Sequence, residues 1–131
     1  MRIVLDTNVI VSAYITCGPA RDFWDRVTFQ HTVLISPEVF TELEGVLRSE
    51  QFNYSDERIA EILRDVLGRV QLVRVRLKYC DPMCDPSDVC IAALALQEEP
   101  TAVVTGDKPL RAEHAISAIQ VLSIREFENI Y

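Results

Sequence analysis

The chain has 131 residues, 49% hydrophobic and 25% charged, with 20 Asp+Glu against 13 Lys+Arg and a formal net charge of −7. Length and composition describe one globular domain, residues 1–131, able to bury a core without staples. The acidity excludes a protein that holds nucleic acid by a basic surface alone, but not an enzyme that gathers acids around cations.

Arg2-Ile3-Val4-Leu5 is a short apolar run ending in Asp6, the pattern of a parallel strand buried on both faces. Thr7-Asn8 offers helix caps, and the apolar stretch Val9 to Ile15 reads equally as a buried helix or as more strand. Cys17-Gly18-Pro19 breaks that element, and Pro19 starts a helix through Val27 with Phe23, Trp24 and Val27 on one side. Thr32-Val33-Leu34-Ile35 is the second strand. Ser36-Pro37 then supplies an N-cap and an N1 proline for a helix whose apolar face is Val39, Phe40, Leu43, Val46 and Leu47. Ser55-Asp56-Glu57 opens another helix with the stripe Ile59, Ile62, Leu63, Val66 and Leu67, expected to end at Gly68. Gln71 to Val75 is a third strand, and Asp81 to Pro86 a loop. From Pro86 to Gln97 runs a helix that is apolar all round, hence buried. Ala102-Val103-Val104 and Ile119 to Leu122 are the last strands, and Ser123 caps a final short helix. Strands alternating with helices predict an α/β fold with a central, mostly parallel sheet flanked by helices. No apolar run approaches about 18 residues, so neither a membrane span nor a membrane partner is expected.

Cys17, Cys80, Cys84 and Cys90 contain no C-x-x-C pair, and neither His31 nor His114 is near them. The chain opens on Met1-Arg2-Ile3 with no signal peptide ahead of it, so the cysteines are expected to be free thiols in a reducing, cytoplasmic setting.

The acids fall in a pattern. Ligands of open α/β sheets bind outside the carboxyl ends of the strands. Asp6 follows the first strand and Asp107 follows the fourth, so both are expected at that edge. Glu38, Glu42 and Glu44 lie on the helix after the second strand, where periodicity favours Glu42 without excluding Glu38. Asp85 and Asp88 open the buried helix; Asp85 suits an N-cap before Pro86, and Asp88 suits the first turn. Asp6 could likewise be a plain helix cap. Carboxylates brought together repel unless a cation neutralises them, and oxygen-only ligands select Mg²⁺ or Mn²⁺. Arg21, Arg26, Arg48, Lys108 and Arg111 are candidates for a basic rim around such a site.

These residues resemble the PIN-domain family of metal-dependent nucleases along nearly the whole chain. Ile3-Val4-Leu5-Asp6-Thr7-Asn8 is similar to the family's first motif, a strand ending in D-T-N. Glu42-Leu43-Glu44-Gly45-Val46-Leu47 resembles the E-L-x-x-V-L helix, which selects Glu42 over Glu38. Asp85-Pro86-Ser87-Asp88 through Ala95 resembles the D-P-x-D stretch, placing the third acid at Asp88, and Val103-Val104-Thr105-Gly106-Asp107 resembles V-T-G-D, placing the fourth at Asp107. The similarity is greatest to the stand-alone toxins of toxin–antitoxin pairs, the VapC type. Val89 and Cys90 follow Asp88, where many members of that branch carry further acids.

The resemblance implies a three-layer PIN-like fold and an endoribonuclease that hydrolyses phosphodiester bonds of single-stranded RNA. Asp6, Glu42, Asp88 and Asp107 would be its catalytic and metal-holding residues, with Mg²⁺ or Mn²⁺ as cofactor. Thr7, Asn8, Asp85 and Thr105 form a second tier that orients carboxylates, water or phosphate. An antitoxin protein and a second copy of the chain are the implied partners. The competing expectation is a PIN-like nucleic-acid or protein-binding module with little or no nuclease activity. A haloacid-dehalogenase-type phosphatase needs an acid at position 8, where Asn8 stands. A phospho-receiver domain needs paired acids near its first strand, and those are missing.

Overall fold

The computed structural model describes residues 1–16, 18–76, 86–106 and 120–131, with 86–90 described by backbone only. Its elements are β1 (Arg2–Leu5), α1 (Thr7–Ile15), α2 (Pro19–Gln30), β2 (Thr32–Ile35), α3 (Pro37–Leu47), α4 (Asp56–Arg69), β3 (Val70–Leu72), α5 (Pro86–Glu98), β4 (Ala102–Val104), β5 (Gln120–Leu122) and α6 (Ile124–Ile130). The strands form a single five-stranded sheet in the order β3-β2-β1-β4-β5, every neighbouring pair parallel. The expected parallel sheet is therefore present, without an antiparallel member among the described residues.

The central strands read as unbroken apolar runs because helices cover both of their faces. Ile3, Val4 and Leu5, Val33, Leu34 and Ile35, and Ala102, Val103 and Val104 are all fully buried. α5 earns its all-round apolar sequence in the same way: Ile91, Ala92, Ala93, Leu94 and Ala95 are all buried. Its alanines keep the helix surface shallow, so α5 can lie close to both β1 and α3.

The open alternative for residues 9–15 resolves as helix. α1 begins at Thr7, immediately after β1, and Val9, Ile10, Val11 and Ala13 are buried. Two termini differ from expectation. Gly68 does not end α4, which continues to Arg69 and passes directly into β3. A helical glycine costs only about 1 kcal/mol, and α4 recovers that through Ile59, Ile62 and Val66, each buried. β3 is also shorter than the apolar run Gln71–Val75: Val73 N–H still donates to Ile35 O (2.8 Å), and there the ladder stops.

A polar network ties α1 to α2 and α4. The Trp24 indole N–H donates to Tyr14 Oη (3.0 Å), and Tyr14 Oη donates to Asp65 Oδ2 (2.5 Å). Arg69 holds both Asp65 (3.1 Å) and Asp25 (2.7 Å). Burial, and then the Asp65 carboxylate, push the Tyr14 phenol well above its ordinary value. This network fixes α1, and α1 delivers the first-motif residues to the sheet edge.

Candidate metal centre

The strand order places the site. The chain moves outward from β1 through β2 to β3, then returns across β1 to β4 and β5 on the other side. The β1–β4 crevice is therefore the topological switch point, where open α/β sheets bind ligands at the strands' carboxyl ends. Leu5 pairs with Val104, so the same register carried one step further sets Asp6 beside Thr105. Asp6 N–H donates to Val104 O (3.1 Å), and Thr105 N–H donates to Leu122 O (2.9 Å). Both residues thus leave the ladder together.

Their side chains meet. Thr105 Oγ1 donates to Asp6 Oδ2 at 2.8 Å. Asp6 is 5% exposed and Thr105 0%, so this is a buried, charge-assisted bond of the stronger kind. Asp6 also stands at the N-cap of α1, but its carboxylate makes no capping bond; the cap uses its backbone carbonyl, which accepts from Val9 and Ile10 N–H. The plain-cap reading of Asp6 does not describe this structure, and the carboxylate is aimed at the β1–β4 crevice.

Thr7, the next residue, is 1% exposed and donates through Oγ1 to Glu42 Oε2 at 3.2 Å. α3 is aligned for that contact by Ser36, fully buried, whose Oγ accepts from Val39 N–H (3.2 Å) at the helix start. Glu42 itself is exposed, as is Glu38. Between the two glutamates that periodicity left open, Glu42 has the contact to the first-motif segment. Asp6 and Glu42 are thus each held by a threonine hydroxyl, and one of those threonines is the neighbour of Asp6. Asn8 is exposed in the first turn of α1.

The remaining candidates are placed only in part. Asp88 lies in the first turn of α5, and its side chain is outside the described residues. α5 ends where Arg2 at the amino end of β1 bonds Glu98, so its first turn is the end remote from that edge. Asp85 and Asp107 lie outside the described residues, as do Cys17, Cys80 and Cys84 and the side chain of Cys90. Among the described residues no group of three His, Cys, Asp or Glu gathers as a metal cage.

The donor chemistry of the described part fits a hard divalent cation. It is made of carboxylate oxygens, each oriented by a hydroxyl that donates to it, the arrangement that outer-shell partners give to metal ligands. The expected basic rim is not formed by the arginines named for it. Arg21 pairs with Asp25 (3.3 Å), Arg26 with Glu128 (2.7 Å), and Arg48 with Glu44 and Asp56 (both 2.9 Å). Each is spent on its own helix or a neighbour, which charge counting along the sequence cannot foresee. Lys108 and Arg111 lie outside the described residues.

An all-parallel α/β sheet with a buried carboxylate at its switch point defines an acid-centred ligand site. A family model described as PIN domain matches residues 2–109, and the chain belongs to the PIN-domain family. That family consists of nucleases, hydrolases that generally use divalent metal ions. No curated protein matches the sequence. Among solved structures the chain is similar to VapBC2 from Rickettsia felis bound to a DNA fragment from its promoter, at 20% identity and TM-score 0.68 over 92% of this chain and 97% of that one. It is also similar to the PIN domain endonuclease Utp24, at 23% identity and TM-score 0.56 over 93% of this chain and 84% of that one. At these identities the two structures establish the shared fold. Among the described residues, no helix is long and apolar enough to cross a membrane.

Proposed function

We propose that this protein, as a single PIN-like domain over residues 1–131, is a Mg²⁺- or Mn²⁺-dependent endoribonuclease that hydrolyses phosphodiester bonds of single-stranded RNA. The observation that carries the reading is the buried Asp6 carboxylate at the β1–β4 switch point, held by Thr105 and not used as a helix cap. Asp6, Glu42, Asp88 and Asp107 are the proposed catalytic and metal-holding residues.

Asp6, Glu42, Asp88 and Asp107 would hold a divalent ion, which would make a bound water more acidic and offset negative charge on a phosphoryl group. The chain's own part is positioning. Thr105 fixes the direction of Asp6, and Thr7 fixes Glu42. Asn8, exposed in the first turn of α1, is proposed to orient water or phosphate. The buried surroundings of Asp6 strengthen its contact with Thr105 relative to water.

Likeness to VapBC2 supports a role as the toxin of a toxin–antitoxin pair, with an antitoxin protein as partner; a second copy of the chain is proposed as a further partner. That role places the protein in the cytoplasm. The test of the metal assignment is thermal melting against Mn²⁺. A ligand that binds only the folded state stabilises it by about 2.7 kcal/mol at a hundred times its Kd. The melting point of the native chain rises with millimolar Mn²⁺, and that of Asp6→Asn does not. No shift in the native chain would favour the binding module with little nuclease activity.

A further inference from the structure

The described arginines divide sharply. Arg2, Arg21, Arg26, Arg48, Arg58 and Arg69 each hold a carboxylate. Arg64, Arg74, Arg76 and Arg125 hold none among the described residues. Of these four, only Arg74 and Arg76 lie within two residues of each other in the sequence. They lie in the segment that follows β3, and its backbone is bonded by Gln97 at the carboxyl end of α5, the end beside Arg2.

The two side chains share one side of that segment. Val73 and Val75 pack against the core, while Arg74 and Arg76 are exposed. Alternation of this kind is the period of extended chain, and it sets the two Cα atoms about 6.6 Å apart. The backbone is gripped where it carries them: Gln97 Nε2 donates to Arg74 O (2.9 Å), and Arg76 N–H donates to Gln97 Oε1 (2.5 Å). A groove of about 820 Å³ runs past Gln71, Leu72, Arg74, Arg76, Gln97 and Glu98. The one acid among these six, Glu98, is paired with Arg2.

We infer that Arg74 and Arg76 form a phosphate track that holds the backbone of single-stranded RNA at the carboxyl end of α5, away from the Asp6 site. This rests on the ribonuclease reading above. Charge complementarity carries it. In a chain of net charge −7, a polyanion is held where adjacent guanidinium groups hold no carboxylate among the described residues. Guanidinium recognises phosphate by paired N–H donors. The amides of Gln71 and Gln97 add neutral polar lining that does not repel the strand.

The test uses the full chain carrying Asp6→Asn, which keeps RNA intact, and a fluorescent single-stranded uridine oligonucleotide in Mg²⁺ buffer. Anisotropy is followed against salt. Adding Arg74→Gln and Arg76→Gln weakens binding about tenfold at low salt and makes the slope of log K against log salt shallower by about 1.4, two phosphate contacts of a single strand. Arg74→Lys with Arg76→Lys keeps the slope. Arg64→Gln with Arg125→Gln changes neither quantity. The melting point of each variant verifies that it is folded, as expected for exposed side chains. Unchanged affinity and slope in the Gln pair would overturn the inference while leaving the ribonuclease reading intact, provided the native chain still cleaves RNA. Retained RNA binding with lost binding to a poly-glutamate peptide would assign the pair to an acidic protein segment instead. No RNA binding by any form would overturn both.

Discussion

Thr105→Val removes one hydrogen-bond donor and keeps the β-branched shape. The lost hydroxyl is fully buried and donates to Asp6 Oδ2 at 2.8 Å, where Asp6 is itself 5% exposed. A hydrogen bond to an ionised group contributes about 1.5–3 kcal/mol, and so little exposure leaves water no easy route to replace the donor. For a domain of this length each kcal/mol moves the melting point by about 3–5 °C, so Thr105→Val should melt about 5–15 °C lower. The same bond orients the carboxylate, and loss of such a partner weakens metal affinity by about 10–100-fold. Thr105→Ser separates the two effects. It gives up a buried methyl group, worth about 1 kcal/mol, and keeps the donor, so its Mn²⁺ midpoint stays near that of the native chain. The assay is thermal melting without metal and across a Mn²⁺ titration. If Thr105→Val melts with the native chain and shows the same Mn²⁺ midpoint, the hydroxyl does not position Asp6 and the reasoning fails.

Three further outcomes are expected. Glu42→Gln sits on an exposed part of α3, so it should melt within about 0.5 kcal/mol of the native chain while losing Mn²⁺ stabilisation; a large stability loss without any effect on Mn²⁺ would make Glu42 merely structural. Ser36→Ala removes the cap that accepts from Val39 N–H and should cost about 0.5–2 kcal/mol, read from urea midpoints at constant m-value. Tyr14→Phe leaves the fully buried Trp24 indole N–H without its acceptor, at a cost of about 1–3 kcal/mol. The raised phenol pKa has its own signature. Above the ordinary value of 10.0 the unfolded chain releases this proton while the folded chain keeps it. Stability is therefore intact below that pH and falls as pH rises beyond it. Tyr14→Phe should show a flatter alkaline limb in urea unfolding, and an unchanged limb would contradict the Tyr14–Asp65 contact.

Much of the fold was legible because burial on both faces leaves a simple mark. Ile3-Val4-Leu5, Val33-Leu34-Ile35 and Ala102-Val103-Val104 carry no alternation, and all are fully buried. Ser36-Pro37, Ser55 and Ser123 announced their helices, and each side chain accepts the capping bond expected of it. The segment Val9–Ile15 could not be decided from the sequence, since a buried helix and a buried strand are both uniformly apolar. The end of β3 was overestimated because Val73 and Val75 remain apolar for core contact after the ladder has stopped.

At the site, Asp6 could be placed at the carboxyl edge from the sequence, but its freedom from capping duty could not. That depends on Thr105, 99 positions away, arriving by the β1–β4 register. Periodicity favours Glu42 without excluding Glu38, because both lean to one side of α3; the contact that distinguishes Glu42 comes from Thr7 on another helix. The arginine pattern was the least legible. Whether a guanidinium is committed to a carboxylate depends on helix faces and partners such as Glu128, Asp56 or Asp65, which net charge does not encode.

On the proposed reading the acidity that set the first constraint has two parts: carboxylates proposed to hold a cation at the switch point, and carboxylates that occupy most of the described arginines. The central claim is that the first part is a nuclease centre. It is tested most directly by incubating the purified chain with end-labelled single-stranded RNA in Mn²⁺ and in EDTA, beside Asp6→Asn and Asp107→Asn. The account predicts cleavage by the native chain in Mn²⁺ alone, and none by either folded variant. Cleavage by Asp6→Asn at the native rate would contradict it.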